Sequence, residues 1–471
     1  MATPTGRWLL VATILGSSIA LLDATVVNVA LPRLGADLDA GVTGLQWTLN
    51  GYTLALASLI LLGGALGDRW GRRRIFIVGV VWFALASALC GLAPNVELLV
   101  AARVLQGVGG ALLTPGSLAL ISASIDERDR GRAIGAWSGI GGVASAIGPI
   151  FGGWLVDAVS WRAVFLINVP VAVVIVWVAL RHVPESRDES AARSIDVPGT
   201  VLAAAGLAAL TYGLITSVAV TSVLGLVLLG LFVWQERRTV EPLVPLSMFA
   251  DRVFAASNLV TVTVYAALGG TFFLFVLHLQ VVVGYSPLQA GAASLPITLL
   301  MLLLSSYAGS LGERIGPRIP MTVGPLIAAA GLVLMLRIDS DASYTTDVLP
   351  AVVVFGLGLS TMVAPLTTAV LSAAPSSQAG LASGINNAIA RTGQLLAVAA
   401  LPSLVGITGS GYADPEVVKD GFYGAMLICA GLLVIGAITA AVLVRRGPSK
   451  HDIPIERQRR CGVESPASYP E

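Results

Sequence analysis

The stretch GALGDRWGRRR (Gly64 to Arg74) and its echo GSLGERIGPRI (Gly309 to Ile319) match at six of eleven positions, with Asp68 facing Glu313. Each stretch follows an apolar run of about 20 residues, the length that crosses a bilayer as a helix. Two copies of one hydrophilic turn, about 245 residues apart, mark an internal duplication. Outward from them, apolar runs recur near 8–31, 44–66, 75–93, 97–120, 132–156, 162–181, 197–216, 218–235, 254–280, 288–311, 319–337, 348–371, 379–406 and 421–444. Placing the two turns in register leaves six helices on each side and an extra pair between them. The expected fold is an all-α polytopic membrane protein of fourteen helices, two six-helix bundles plus two inserted helices. The expected units are residues 1–181, a linker with the inserted pair at 182–252, a second bundle at 253–445, and a tail at 446–471.

Composition agrees. Of 471 residues, 56% are hydrophobic and 12% charged, whereas soluble domains carry roughly 25% charged residues. The net charge of +1 offers nothing to nucleic acid. Lys occurs only at Lys419 and Lys450, neither after a Gly, so there is no phosphate-cradling loop and no ATP site to drive the chain. Cys90, Cys429 and Cys461 lack paired spacing, which argues against disulfides and metal sites. The first apolar run carries Asp23 and Asn28 and has no small-residue cleavage site, so it reads as a retained helix. Lys and Arg alternate with the crossings: 22 lie on the side of the termini and 4 (Arg33, Arg162, Arg337, Lys419) on the other. Positive residues stay inside. Both termini are therefore expected in the cytoplasm, with the chain multi-pass in the inner or plasma membrane of the cell.

Two charges stand out within the helices of the first half. Asp23 is the only acid well inside a predicted helix, where a charge costs at least about 2.5 kcal/mol on insertion scales. A desolvated carboxylate takes up and releases protons nearer neutrality, the chemistry of a proton-coupled carrier. A structural salt bridge or a capped kink is the alternative. Asp23 lies roughly 14 Å below the end of its helix at Pro32, and Arg103 roughly 12 Å below the start of its helix at Asn95. The depths agree, so the two can pair, either as a static ion pair or as one whose separation ties protonation to conformation. A third charge, Arg391, lies roughly 20 Å from Gln378, beside Asn386, Asn387 and Gln394. It either lines a cavity or joins the halves.

These stretches resemble a family. GALGDRWGRRR looks like the signature between helices 2 and 3 of the major facilitator superfamily. LDATVVNVALP (Leu22 to Pro32) is similar to the helix-1 motif of its fourteen-helix drug/proton antiporters, and WRAVFLINVP (Trp161 to Pro170) resembles the same branch. Arg103 with VLQGVGGA after it resembles the helix-4 motif, and GINNAIARTGQ (Gly384 to Gln394) the same branch again. GAWSGIGGVASAIGPIFGG (Gly135 to Gly153) resembles the motif associated with antiport: Gly135, Gly148, Pro149, Gly152 and Gly153 fit, while Ala144 replaces a Gly. The resemblance covers about residues 8 to 445. It implies a coupling role for Asp23. It also implies a cytoplasmic latch at Asp68, Arg69, Arg72 and Arg73, with Glu313 and Arg314 its weaker counterpart because Pro317 replaces an Arg. The positive-inside rule alone also explains Arg there.

Asn28, Gln46, Asn50, Asn258 and Tyr265, with Thr361, Met362 and Thr367, either line a cavity or pack. His278, near a helix end, reads as interfacial. With three His in all, no catalytic or metal cluster is expected. The reading that follows is a proton-coupled exporter of amphiphilic small molecules such as drugs, antibiotics or toxic metabolites. It works by alternating access as a monomer, without cofactor or enzyme activity. A single intramembrane acid points to neutral or monovalent substrates. The alternatives are a proton-coupled uptake symporter and a non-transporting sensor or scaffold.

Overall fold

The computed structural model describes residues 4–125, 127–187, 196–374 and 378–444, and among them every regular element is helical. The tail expectation, linker residues 188–195, and Arg193, Arg445, Arg446, Lys450, Arg457, Arg459 and Arg460 lie outside the described residues. The first bundle comprises α1 (Pro4–Asp37), α2 (Val42–Trp70), α3 (Arg72–Gly91), α4 (Val96–Ser124), α5 (Glu127–Ala158), α6 (Trp161–Leu166) and α7 (Asn168–His182). A hairpin of α8 (Val197–Thr216) and α9 (Ala219–Glu236) follows. The second bundle comprises α10 (Arg252–Val281), α11 (Pro287–Ala293), α12 (Leu295–Ile315), α13 (Arg318–Leu334), α14 (Leu349–Ser372), α15 (Ala379–Leu404) and α16 (Pro415–Leu443). Among the described residues, thirteen spans are long and apolar enough to cross a membrane, with α6–α7 and α11–α12 each forming one. The fourteenth crossing is α15, whose Asn386, Asn387, Arg391 and Gln394 dilute its apolarity. It nonetheless packs between α10, α2 and α8. An even number of crossings puts the start of α1 and the end of α16 on one face, the terminal face; the opposite is the far face.

The duplication is visible in three dimensions. Gly71 and Gly316, equivalent in the two turns, both adopt positive φ, +108° and +83°, a conformation that glycine reaches without steric cost. Gly64 lies against Pro115 of α4, and its equivalent Gly309 against Ala364 of α14. The α2–α4 and α3–α4 pairings of the first bundle recur as α12–α14 and α13–α14 in the second.

Polar side chains start many of the helices by accepting their free N–H groups. Asn95 does so for α4, Asp196 for α8, Asp251 for α10 and Asp414 for α16. A Ser286–Gln289 capping box opens α11.

Three expected boundaries are corrected. The first helix does not stop near residue 31; it runs through Pro32 to Asp37 and carries Arg33 with it. Pro32 leaves the Asn28 carbonyl without its i+4 donor, yet the helix continues; one residue on, the Val29 carbonyl accepts from Gln280 Nε2 of α10 at 3.0 Å. The run at 162–181 is broken at Ile167, because Pro170 has no N–H for the Leu166 carbonyl. The run at 288–311 is broken at Ser294, because Pro296 leaves the Ala292 carbonyl in the same position.

The two bundles meet mainly near the far face. One continuous apolar core joins Val26, Leu31, Leu45, Leu155 and Phe165 of the first bundle to the interior of the second. Toward the terminal face the first bundle keeps its own core around Phe76, Phe83, Leu120 and Ile175, and Ala388 alone of the second bundle packs against it. Far-face hydrogen bonds reinforce the join. Asp157 Oδ2 accepts from Ser286 Oγ and Leu288 N, both at 3.0 Å, and Val42 N donates to the Gly409 carbonyl at 3.0 Å. The hairpin sits over the seam: α8 packs on both α2 and α15, while α9 packs on α8 and turns most of its surface outward. Exposed Val220, Leu226, Leu303 and Val442 belong to an outer surface suited to lipid.

Candidate functional site

Asp23 and Arg103 meet, as their matched depths allow. Asp23 is 2% exposed and Arg103 1%. Arg103 Nη1 donates to Asp23 Oδ2 at 2.5 Å. The second carboxylate oxygen, Oδ1, accepts from Gln106 Nε2 at 2.8 Å. Arg103 also donates from Nε to the Thr48 carbonyl at 2.9 Å and from Nη1 to Gln106 Oε1 at 2.6 Å. The guanidinium carbon lies 4.5 Å from the Tyr52 ring centre and 5.7 Å from that of Phe165. Gln106 Nε2 continues to Ser87 Oγ at 3.2 Å, which receives Asn168 Nδ2 at 3.0 Å and donates to the Phe165 carbonyl at 2.8 Å.

The network therefore ties together α1, α2, α3, α4, α6 and α7. A buried ion pair offsets its desolvation only when its remaining lone pairs and protons are also satisfied, and Gln106 and Thr48 supply that here. Gln106 lies one helical turn after Arg103, so both point the same way from α4. Beside the pair is a cavity of about 290 Å³ between α1, α5, α6 and α7. Asp23 and Asn168 form polar points on its wall, which is otherwise mostly apolar and includes Leu22, Phe151, Leu155 and Val171.

The glycines of α5 connect this site to the second bundle. A methyl group on Gly148 would overlap Thr25 Oγ1, and one on Gly152 would overlap Val26. Both contacts are on α1, within one turn of Asp23. A methyl on Gly153 would stand 2.6 Å from the Pro287 carbonyl oxygen, and one on Gly291 of α11 would overlap the Pro149 carbonyl. Close backbone approach through small residues is the usual means of packing helices in membranes. Gly135 has open space around it and takes no part in this packing.

The expected latch residues contact their own bundle. Asp68 pairs with Arg72 at 2.8 Å. Arg73 Nη1 donates to the Val183 carbonyl at 3.0 Å, and the Arg73 and Arg74 amides donate to the two oxygens of Glu185 at 3.0 and 3.2 Å. Glu185 is thus an anion on the N-terminus of α3. Arg69, Glu313 and Arg314 are exposed. Among the described residues, no ion pair joins either turn to the opposite bundle.

The remaining polar residues divide. Gln46 is buried in the seam and joins the bundles, donating to the Val398 and Ala399 carbonyls of α15 at 2.8 and 2.9 Å. Asn28 is half-buried and donates to the Ala24 carbonyl of its own helix at 3.0 Å. Asn50 is buried, and its amide nitrogen has no partner among the described residues. Asn258 accepts from Asn386 at 3.0 Å, and Asn386 also donates to Thr261 at 2.8 Å. Tyr265 and Arg391 are half-buried, and Arg391 donates to Gln394 Oε1 at 3.2 Å. Thr361 and Thr367 bond back to their own helix, and Met362 is core. His278 is not interfacial. It is fully buried, bonded through Nε2 to the Ile338 carbonyl at 2.9 Å and stacked 4.1 Å from Phe422.

Sequence reasoning left out Gln106, Ser87 and Asn168. Gln106 and Asn168 lie inside stretches whose resemblance was visible, and their amides are the available signal. Ser87, one hydroxyl in the apolar run of α3, gave none.

The sequence model of the Major Facilitator Superfamily matches residues 13–398 and again 258–467. The puromycin resistance protein pur8 of Streptomyces alboniger is 37% identical over 463 residues, covering 94% of this chain and 92% of that protein. The tetracenomycin C resistance and export protein of Streptomyces glaucescens is 37% identical over 406 residues, covering 84% and 75%. Among solved structures, the POT family transporter PepTSo superposes with a TM-score of 0.69 at 17% identity, covering 92% of this chain and 97% of that one.

Proposed function

The chain belongs to the major facilitator superfamily, and from that premise we propose that it exports amphiphilic small molecules in exchange for protons. The observation that carries the reading is the buried Asp23–Arg103–Gln106 network, built on a helix that α5 grips through Gly148 and Gly152. While Asp23 keeps its charge, Arg103 and Gln106 hold α1 against α2 and α4. A proton on Asp23 neutralises the carboxylate and weakens that hold, which is a charge-assisted bond. α1 is then free to shift away from α2 and α4, and α5, which grips it, carries the shift to α11 through Gly153 and Gly291.

Alternating access needs the two bundles to rock about a fixed site. In this structure one core joins the bundles at the far face, while toward the terminal face their cores are separate and meet through Leu61, Gly384 and Ala388. The charge asymmetry of the connections assigns the terminal face to the cytoplasm. Substrate then enters from the cytoplasm, and protonation from outside drives its release and the return of the empty site. The proton gradient is the sole energy source, and one chain is the working unit. The resistance and export named for the two relatives support the direction and the class of cargo.

Inverted membrane vesicles test the reading. With an imposed pH gradient, acid inside, wild-type vesicles accumulate puromycin and Asp23→Asn vesicles do not. Accumulation by Asp23→Asn at the wild-type rate overturns the coupling role, and puromycin efflux driven by the same gradient overturns export.

A further inference from the structure

Three charged side chains lie deep within the crossing helices, and two of them cancel. Asp23 and Arg103 neutralise each other. Arg391 has no carboxylate partner among the described residues; its one hydrogen bond goes to a neutral amide, Gln394. Its height in the seam follows from two contacts between antiparallel helices. Gln46 of α2 bonds the Val398 and Ala399 carbonyls of α15, and Leu61 of α2 meets Gly384. Between those points, Arg391 falls near the level of Leu54, within one turn of Tyr52. On the other side, Asn386 of α15 donates to Asn258 and Thr261 of α10, and a methyl on Gly393 would meet the Val262 carbonyl and the Ala266 N–H, so Arg391 also lies within one turn of the level of Tyr265. Neither phenol has a hydrogen-bond partner among the described residues.

The elements packed there bring no counter-charge. α8 holds no ionisable side chain other than Tyr212 along its length, α2 no acid before Asp68, and α10 no acid at all. The seam therefore holds a net positive charge and two free phenol donors. An uncompensated cation at this depth is costly, and intramembrane charges of this kind mark ligand pathways. A guanidinium presents a planar fork of donors suited to an oxyanion.

We propose that Arg391, with the Tyr52 and Tyr265 hydroxyls, receives the acidic group of an anionic amphiphile, so that the preferred cargo carries a carboxylate, phenolate or sulfonate. The proposal rests on the export reading and narrows its substrate class. The apolar part of the cargo lies along the seam, and the acid sits between the two bundles. Because the anion contacts Tyr52, whose ring stacks on Arg103, its arrival is felt one residue away from Asp23.

The test uses a matched pair of probes. 8-Anilinonaphthalene-1-sulfonate and N-phenyl-1-naphthylamine share one aromatic body and differ by the sulfonate. Equilibrium dialysis against the full chain in nanodiscs, corrected with empty nanodiscs, measures each Kd. The expected result is tighter binding of the sulfonate by wild type. Arg391→Gln weakens the sulfonate about tenfold or more, the scale of one charge-assisted hydrogen bond, and leaves the neutral probe unchanged. Tyr265→Phe weakens the sulfonate severalfold, and Arg391→Lys falls between. Should Arg391→Gln fail to fold, Tyr265→Phe and Arg391→Lys carry the same comparison. Equal binding of the two probes by wild type overturns the proposal. So does an equal loss of both in the variants, which marks a structural arginine. Binding here needs no gradient, so its failure leaves proton-driven puromycin accumulation intact. Failure of that accumulation likewise leaves the probe comparison intact.

Discussion

Replacing Arg103 by Met removes one charge and keeps most of the volume. Asp23 is then left buried with no cation. The Thr48 carbonyl loses its 2.9 Å donor and Gln106 Oε1 its 2.6 Å donor. Breaking a buried pair by removing one partner costs about 3–5 kcal/mol. Asp23→Leu combined with Arg103→Met removes both charges and keeps only the orphaned Thr48 and Gln106 groups, at about 1–3 kcal/mol. Gln106 retains Ser87 as a partner, which places the double variant toward the low end. The double variant is therefore more stable than Arg103→Met by about 2 kcal/mol. Equilibrium unfolding in mixed micelles, followed by circular dichroism, gives the comparison. Thiol labelling of Cys90 and Cys429, both buried, reports the same transition independently. Additive costs within about 0.5 kcal/mol, the behaviour of independent sites, refute a mutually compensating pair.

Gly291→Leu sets a side chain against the Pro149 carbonyl and separates α5 from α11. The far-face join loosens, and a cysteine placed at Gln280 becomes more reactive to maleimide. Gly135→Ala, with open space around it, leaves that reactivity unchanged. On the far face, Lys419 donates to Asp339 at 2.7 Å and holds its carboxyl below the usual carboxylate range. The folded value is the lower one, so the pair contributes above the ordinary range and is lost as pH falls through the lowered value. The gap in thermal midpoint between wild type and Lys419→Met is accordingly flat at neutral pH and closes only in acid.

Much of this molecule is legible in its residues because a bilayer leaves few choices. Apolar runs of about 20 residues must be helices, and rise per residue turns positions into depths. That reasoning puts Asp23 and Arg103 at one depth and allows them to pair. It works because both depths are measured from nearby ends and the helices are straight enough to keep count. What depth cannot supply is azimuth. Gln46 was one polar residue among several, and only the packing of α2 on α15 shows that its amide bonds the other bundle. His278 lies near a helix end, yet Phe422 and the Ile338 carbonyl bury it from the side. Proline is the other source of error. Pro32 reads as a stop and is carried through, while Pro170 and Pro296 break runs that read as continuous. Ser87 shows the limit from the opposite direction: a lone hydroxyl in an apolar helix acquires meaning only from Gln106 and Asn168 around it.

The central claim is that Asp23 exchanges its proton with substrate. Purified protein in weakly buffered detergent, over a pH series from acid to neutral, reports this directly when puromycin is added and the proton change is followed with a pH dye. Wild type releases protons as substrate binds, and Asp23→Asn binds substrate without releasing any. Equal proton release by the two proteins contradicts the account.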